Sequence, residues 1–127
     1  MRYLLDTNIL IEAAGNSSPA VAALKQAVAS DWVGYSAITR LELFGYPDLT
    51  ADEERVLDLL SKQFEEVVVS SSVIDRAILI RKSIRIKVPD AIIAATALEM
   101  ESVLMTRNEA DFKAVGGLTL INPWSDG

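Results

Sequence analysis

Five short apolar runs divide this chain: residues 2 to 5, Trp32-Val33-Gly34-Tyr35, Glu66-Val67-Val68-Val69, Val103-Leu104-Met105 and Leu118-Thr119-Leu120-Ile121. Between them lie segments whose apolar residues recur at helical spacing. Continuously apolar strands are buried on both faces, and strands joined through helices run parallel. The pattern therefore predicts an α/β fold: a three-layer sandwich with a central, mostly parallel sheet flanked by helices. At 127 residues, half of them apolar, the chain suffices for one core and is too short for two, so residues 1–127 are expected to form a single domain.

Local signals place the helices. Thr7 to Ala14 reads as a helix closed by a left-handed cap at Gly15. After the Asn16-Ser17-Ser18-Pro19 break, Val21, Leu24, Ala27 and Val28 space a second helix. Ser36 suits the N-cap of a third, which carries Glu42 and stops at Gly45-Tyr46-Pro47. Thr50-Ala51-Asp52-Glu53 has the capping-box form and opens an amphipathic helix, and Ser72-Val73-Ile74-Asp75 repeats that form for a helix reaching Ile84. Pro89 fits the first turn of a helix whose body, Ala91 to Leu98, is apolar or small on nearly every side, as burial against a sheet requires. Glu109 to Val115 completes the set.

Composition narrows the chemistry. With no cysteine, disulfides, thiolate catalysis and Cys-ligated zinc are excluded. With no histidine, the commonest general base and transition-metal ligand are missing too. Hydrolysis would have to rest on carboxylates, hydroxyls, Lys or Arg, around a hard cation such as Mg²⁺ or Mn²⁺. No apolar run approaches the roughly 20 residues of a membrane span, and no charged leader precedes Tyr3-Leu4-Leu5, so a cytoplasmic protein is expected. Twelve basic residues against 18 acidic ones give a net charge of -6, which disfavours phosphate binding over the surface as a whole. The distribution is uneven. Seven acids fall between Asp48 and Glu66, whereas Arg76, Arg81, Lys82, Arg85 and Lys87 cluster. Two solvated helix faces explain this; a local RNA contact is the other reading.

Isolated acids in apolar surroundings are the functional signal. Asp6 ends the first strand, Glu42 sits mid-helix between Leu41 and Leu43, Asp90 follows Pro89, and Asp111 precedes Phe112. In parallel α/β sheets ligands bind at the carboxyl ends of strands, where Asp6 and the Thr106-Arg107-Asn108 turn belong. Each acid also has a plain structural reading. Asp6 would cap the helix starting at Thr7, and Asp90 in a first turn is favoured by the helix dipole. Asp111 would be a solvated loop acid. Glu42 is expected to be partly desolvated unless it lies on a surface stripe shared with Thr39, and Arg40, two residues away, does not face it.

Taken in order, Leu5-Asp6-Thr7-Asn8, Ser36 through Glu42-Leu43, Pro89-Asp90-Ala91-Ile92-Ile93-Ala94 and Thr106-Arg107-Asn108 through Asp111-Phe112 resemble the PIN-domain family, most closely its VapC-type toxins. Asn122-Pro123-Trp124 is similar to the family's usual ending. The resemblance spans essentially the whole chain. It implies an endoribonuclease with Asp6, Glu42 and Asp90 as its acidic set, binding one or two Mg²⁺ or Mn²⁺ ions. Many family members carry an acid where Asn108 stands, and VapC-like members often keep one at Asp111. Asp111 is therefore carried over as the fourth ligand and Asn108 as auxiliary, with Thr7, Asn8 and Thr106 in support. RNA positioning would fall to Arg40, Arg85, Lys87 and Arg107. The resemblance further implies a homodimer and inhibition by a cognate VapB-type antitoxin, for which the helices near Ile9-Leu10-Ile11 and Tyr46-Pro47 offer apolar residues, though core packing explains these equally well. Cutting by cation-activated water would leave 5'-phosphate and 3'-hydroxyl ends, whereas a histidine-based ribonuclease would give cyclic phosphates.

Non-catalytic modules compete with this reading. A receiver-like signalling domain pairs acids after its first strand, where this chain has Thr7-Asn8. A haloacid-dehalogenase-like phosphatase needs a second Asp where Asn8 stands. A degenerate PIN domain would bind without cutting, against which the retained Asp6, Glu42 and Asp90 argue.

Overall fold

The computed structural model describes residues 1–125. Its five strands are β1 (Arg2–Leu5), β2 (Trp32–Ser36), β3 (Glu65–Val67), β4 (Val103–Met105) and β5 (Leu120–Ile121). They form one sheet in the order β3-β2-β1-β4-β5, every pair parallel. The helices between them are α1 (Thr7–Ala14), α2 (Ser18–Ala27), α3 (Ala37–Phe44), α4 (Ala51–Ser61), α5 (Ser71–Ser83), α6 (Val88–Glu99) and α7 (Glu109–Phe112).

Strand alternation separates two cores. Leu4 and Leu104, paired in register, point into a layer closed by α5, α6 and α7. Their neighbours Leu5 and Met105, also paired, point the other way, onto Ile9 and Leu10 of α1, Leu24 of α2 and Leu57 of α4. Successive side chains of a strand face opposite sides, so a doubly apolar strand must be covered twice. The expected sandwich follows. Helix α6 is the closely packed one: Ala91, Ala94, Ala95 and Ala97 are buried along it.

Three local expectations are corrected. Gly15 is not left-handed (φ −84°); Asn16 takes that conformation instead, at φ 64°. Asn tolerates it through its short polar side chain. Helix α5 starts two residues early, capped by Ser70, whose hydroxyl accepts the Val73 N–H at 3.2 Å, so the Ser72 capping box does not form. The third strand is shifted to Glu65–Val67 because β3 is an edge strand that lasts only as long as its pairing with Gly34–Ser36 of β2. The Thr50–Glu53 capping box and the Ser36 cap are present.

The chain fills one side of the sheet, β1 to β3, before crossing to β4 and β5 on the other. That reversal lies between β1 and β4, and in doubly wound sheets ligands bind at the carboxyl ends of strands at such a point.

Candidate functional site

Asp6 leaves β1 at this reversal and is 5% exposed. Its N–H continues the ladder to the Met105 carbonyl at 2.9 Å, which fixes the backbone against β4. The carboxylate serves both roles proposed for it. Oδ1 accepts the Thr7 N–H at 2.8 Å as the cap of α1, while Oδ2 accepts the Thr106 hydroxyl at 2.7 Å and the Asn8 Nδ2 at 3.2 Å. Burial pushes its pKa above the ordinary 3.8 in spite of those hydrogen bonds, and the charge of Glu42 adds to the rise.

Thr106 directly follows β4 and is fully buried, and its own oxygen accepts the Asn108 N–H at 2.9 Å. Asn108 thus supports the site through its backbone. Asn8 is turned by its other end, where Oδ1 accepts the Arg107 N–H at 3.4 Å.

Glu42 lies on α3 and is exposed, not desolvated as expected, because α3 stands at the carboxyl edge of the sheet with this face open to solvent. Its Oε1 accepts the Thr7 hydroxyl at 2.7 Å. Thr39, the residue offered as its surface neighbour, is instead fully buried and lies 2.9 Å from the same Thr7 hydroxyl.

Asp90 occupies the first turn of α6, where its pKa is pushed up to about 6. Burial is the largest cause; the charges of Asp6, Asp111 and Glu42 follow in that order, and Lys87 opposes them. Among the described residues nothing donates a hydrogen bond to its carboxyl. Asp111, on α7, is exposed, and its charge reaches Asp90. The four acids from β1, α3, α6 and α7 therefore share one electrostatic neighbourhood.

They do not yet touch. Among the described residues, no three acidic side chains stand in a ready-made ligating cluster. Like charges in a shared low-dielectric pocket repel, and Asp90 shows the cost in its raised pKa. The donor set, four carboxylates with Thr and Asn oxygens and no nitrogen or sulfur ligand, fits a hard cation such as Mg²⁺ or Mn²⁺.

The four basic candidates divide. Arg40 is paired with Glu66 at 2.7 Å. Arg107 is held by Glu12 at 2.9 Å and stacks on the Trp124 ring at 4.6 Å. Lys87 and Arg85 are exposed in the α5–α6 connection, and the field of Lys87 is felt at Asp90. Sequence reasoning placed Thr39 only on a surface stripe with Glu42 and did not foresee its contact with Thr7, nor the clamp that Glu12 and Trp124 form on Arg107. For Thr39 a signal existed: three residues before Glu42 on a helix, it shares the face of that acid.

Among curated proteins, no sequence matches this chain. Solved structures do. A chain of a toxin–antitoxin complex from Klebsiella pneumoniae is 30% identical, with a TM-score of 0.80 over 95% of this chain and 97% of that one. FitAcB from Neisseria gonorrhoeae gives 28% identity and a TM-score of 0.81 over 97% and 99% of the two chains. VapBC2 from Rickettsia felis, bound to a DNA fragment from its promoter, shares the fold at 24% identity, with a TM-score of 0.84 over 96% and 98%. The PIN domain family model matches residues 3–118, which removes the receiver-like and phosphatase-like alternatives. That match takes in all four acids and the elements that carry them, and the chain belongs to the PIN-domain family.

Proposed function

We propose that this protein is a Mg²⁺- or Mn²⁺-dependent endoribonuclease, the toxin half of a VapBC-type pair. The observation that carries the reading is the convergence of Asp6, Glu42, Asp90 and Asp111 at the β1/β4 reversal, where the charges of the other three acids add to the burial that lifts the Asp90 pKa to about 6. The resemblance to a chain of a toxin–antitoxin complex supports the biological role.

Asp6, Glu42, Asp90 and Asp111 would hold the cation. When bound, one or two such ions supply charge neutralisation at the phosphate and make water acidic enough to react near neutral pH. The chain's own groups do the rest. Thr106, Asn8 and the Thr7 N–H keep the Asp6 carboxylate fixed through three hydrogen bonds. Asp90, free of hydrogen-bond donors among the described residues, has lone pairs available to orient the attacking water. Lys87, whose charge reaches Asp90, and Arg85, two residues before it, would steady the RNA phosphates, with single-stranded segments reaching the site more readily than a duplex. Arg40 and Arg107 would first have to leave Glu66 and Glu12. In-line attack leaves a 5'-phosphate and a 3'-hydroxyl.

The antitoxin surface in this reading is the groove between α1 and the α3–α4 segment, where Ile11, Tyr46 and Val56 are exposed beside Leu43 and Leu49. Glu42, Asp52 and Glu53 border it. An apolar segment with a basic side chain complements such a groove, and at its Glu42 end it would meet the catalytic acids. Homodimerisation, implied by the family, belongs to the same proposal, and light scattering on the purified chain tests it.

The experiment for the activity is cleavage of a panel of 5'-labelled structured RNAs, with and without Mg²⁺ or Mn²⁺, by wild type, Asp6→Asn and Asp90→Asn. Cation-dependent cuts with 5'-phosphate ends, lost in both variants, are expected. No cutting of any RNA by antitoxin-free protein, with no cation-induced stabilisation, would make the chain a binding module on a nuclease fold.

A further inference from the structure

Two threonine hydroxyls bridge to the acids, and each has a neighbour behind it. At Asp6 the direction is settled by the donor: the Asn108 N–H can only donate, so the Thr106 oxygen accepts from it at 2.9 Å and sends its proton to Asp6 Oδ2 at 2.7 Å. At Glu42 the arrangement repeats with a side chain in place of the backbone. Thr7 Oγ1 lies 2.7 Å from Glu42 Oε1 and 2.9 Å from Thr39 Oγ1. A hydroxyl carries one proton, and an ionised carboxylate can only accept. Thr7 must therefore donate to Glu42, and the contact with Thr39 must run from Thr39 to Thr7.

We propose that Thr39 is a positioning residue of the acidic site, whose buried hydroxyl donates to Thr7 and thereby holds Thr7 in the orientation that anchors Glu42. Three observations support the assignment. Thr39 is fully buried, so no water competes for its proton. It leaves no buried polar atom unsatisfied among the described residues. It comes from α3 and Thr7 from α1, so the contact ties together the two helices that carry Glu42 and cap on Asp6. Hydrogen bonds in series polarise one another, so a donor behind Thr7 strengthens the bond that Thr7 makes to Glu42. Anchoring one carboxylate oxygen also leaves Oε2 of Glu42 as the free ligand atom.

The consequence for cation binding rests on the metal-site reading above, and the test separates the two. Mn²⁺ affinity is measured by calorimetry on wild type, Thr39→Val, Thr39→Ser, Thr7→Val and the Thr7→Val/Thr39→Val double variant, all checked for folding by circular dichroism. Groups that orient a metal ligand typically govern about 10–100-fold in affinity; one step further back, Thr39→Val is expected to weaken binding about 3–10-fold, with Thr39→Ser restoring it. In the Thr7→Val background the loss should disappear. Unchanged affinity in Thr39→Val, or an equal loss in both backgrounds, would overturn the assignment, since the second result signals packing alone. If wild type takes up no Mn²⁺, the metal reading fails and the relay is judged without metal, by NMR couplings that report the Thr7 χ1 rotamer. One rotamer in wild type and Thr39→Ser but averaging in Thr39→Val supports it; a single rotamer in all three refutes it.

Discussion

Replacing Asp90 with Asn should stabilise the metal-free protein at neutral pH while abolishing its response to Mg²⁺. The folded state lifts the Asp90 carboxyl from 3.8 to about 6. At about 1.4 kcal/mol for each tenfold, that shift opposes folding by up to about 3 kcal/mol once the group is ionised. Asp90 is only half-buried, so solvent screening cuts this to roughly half. The variant also forgoes about 0.5 kcal/mol of favourable charge at the N-terminus of α6. A net gain of about 1 kcal/mol remains, or about 3–6 °C in Tm for a chain of this size. The sign depends on pH. Below 3.8 Asp90 is protonated in both folded and unfolded chains, so the two proteins should melt together. As pH rises from 3.8 through about 6, the folded state holds the Asp90 proton longer than the unfolded one, and wild type loses stability that the variant keeps, while the loss from Asp6 is common to both. Thermal melts in chelator across that range measure the difference. Adding Mg²⁺ should reverse the order, since a ligand at a hundred times its Kd stabilises by about 2.7 kcal/mol, and the variant should respond far less. A wild type as stable as Asp90→Asn at neutral pH in chelator, or a difference that does not vary with pH, would refute the reasoning.

Thr106→Val removes the hydroxyl that donates to buried Asp6 and should weaken Mn²⁺ binding by about tenfold or more, read by calorimetry. Gly34→Ala should destabilise by about 1–3 kcal/mol in urea titration, because an added Cβ would lie 2.4 Å from the Trp32 ring and 2.8 Å from the Glu65 carbonyl, and the backbone contact has little room to give. Glu101 sits at φ 50° beyond the end of α6, so Glu101→Gly should raise the urea midpoint by an amount equivalent to about 1 kcal/mol.

What could be read from the sequence was whatever is recorded locally. Leu4-Leu5 and Leu104-Met105 are apolar in succession because each strand is covered on both faces, so strands and sandwich were legible. Asp6 and Asp90 were legible because they stand beside a strand end and a Pro that fix the start of a helix. Three consecutive serines, Ser70 to Ser72, are each competent caps for α5, and the fold uses Ser70, whose hydroxyl accepts the Val73 N–H. The third strand was misplaced because its apolar residues continue to Val69 while its pairing partner β2 does not. Contacts between distant parts of the chain left no local trace. Thr106 meets Asp6 across 100 residues and Thr39 meets Thr7 across 32, so neither partnership follows from spacing. The exposure of Glu42 was also hidden, because it depends on α3 standing at the sheet's edge.

The most direct test of the central claim is a crystal structure of the wild-type protein soaked in Mn²⁺, with data collected at the manganese absorption edge. An anomalous peak enclosed by the carboxylates of Asp6, Glu42, Asp90 and Asp111 is the expected result. A fully occupied Mn²⁺ bound elsewhere on the chain, with these four acids left unliganded, would contradict it.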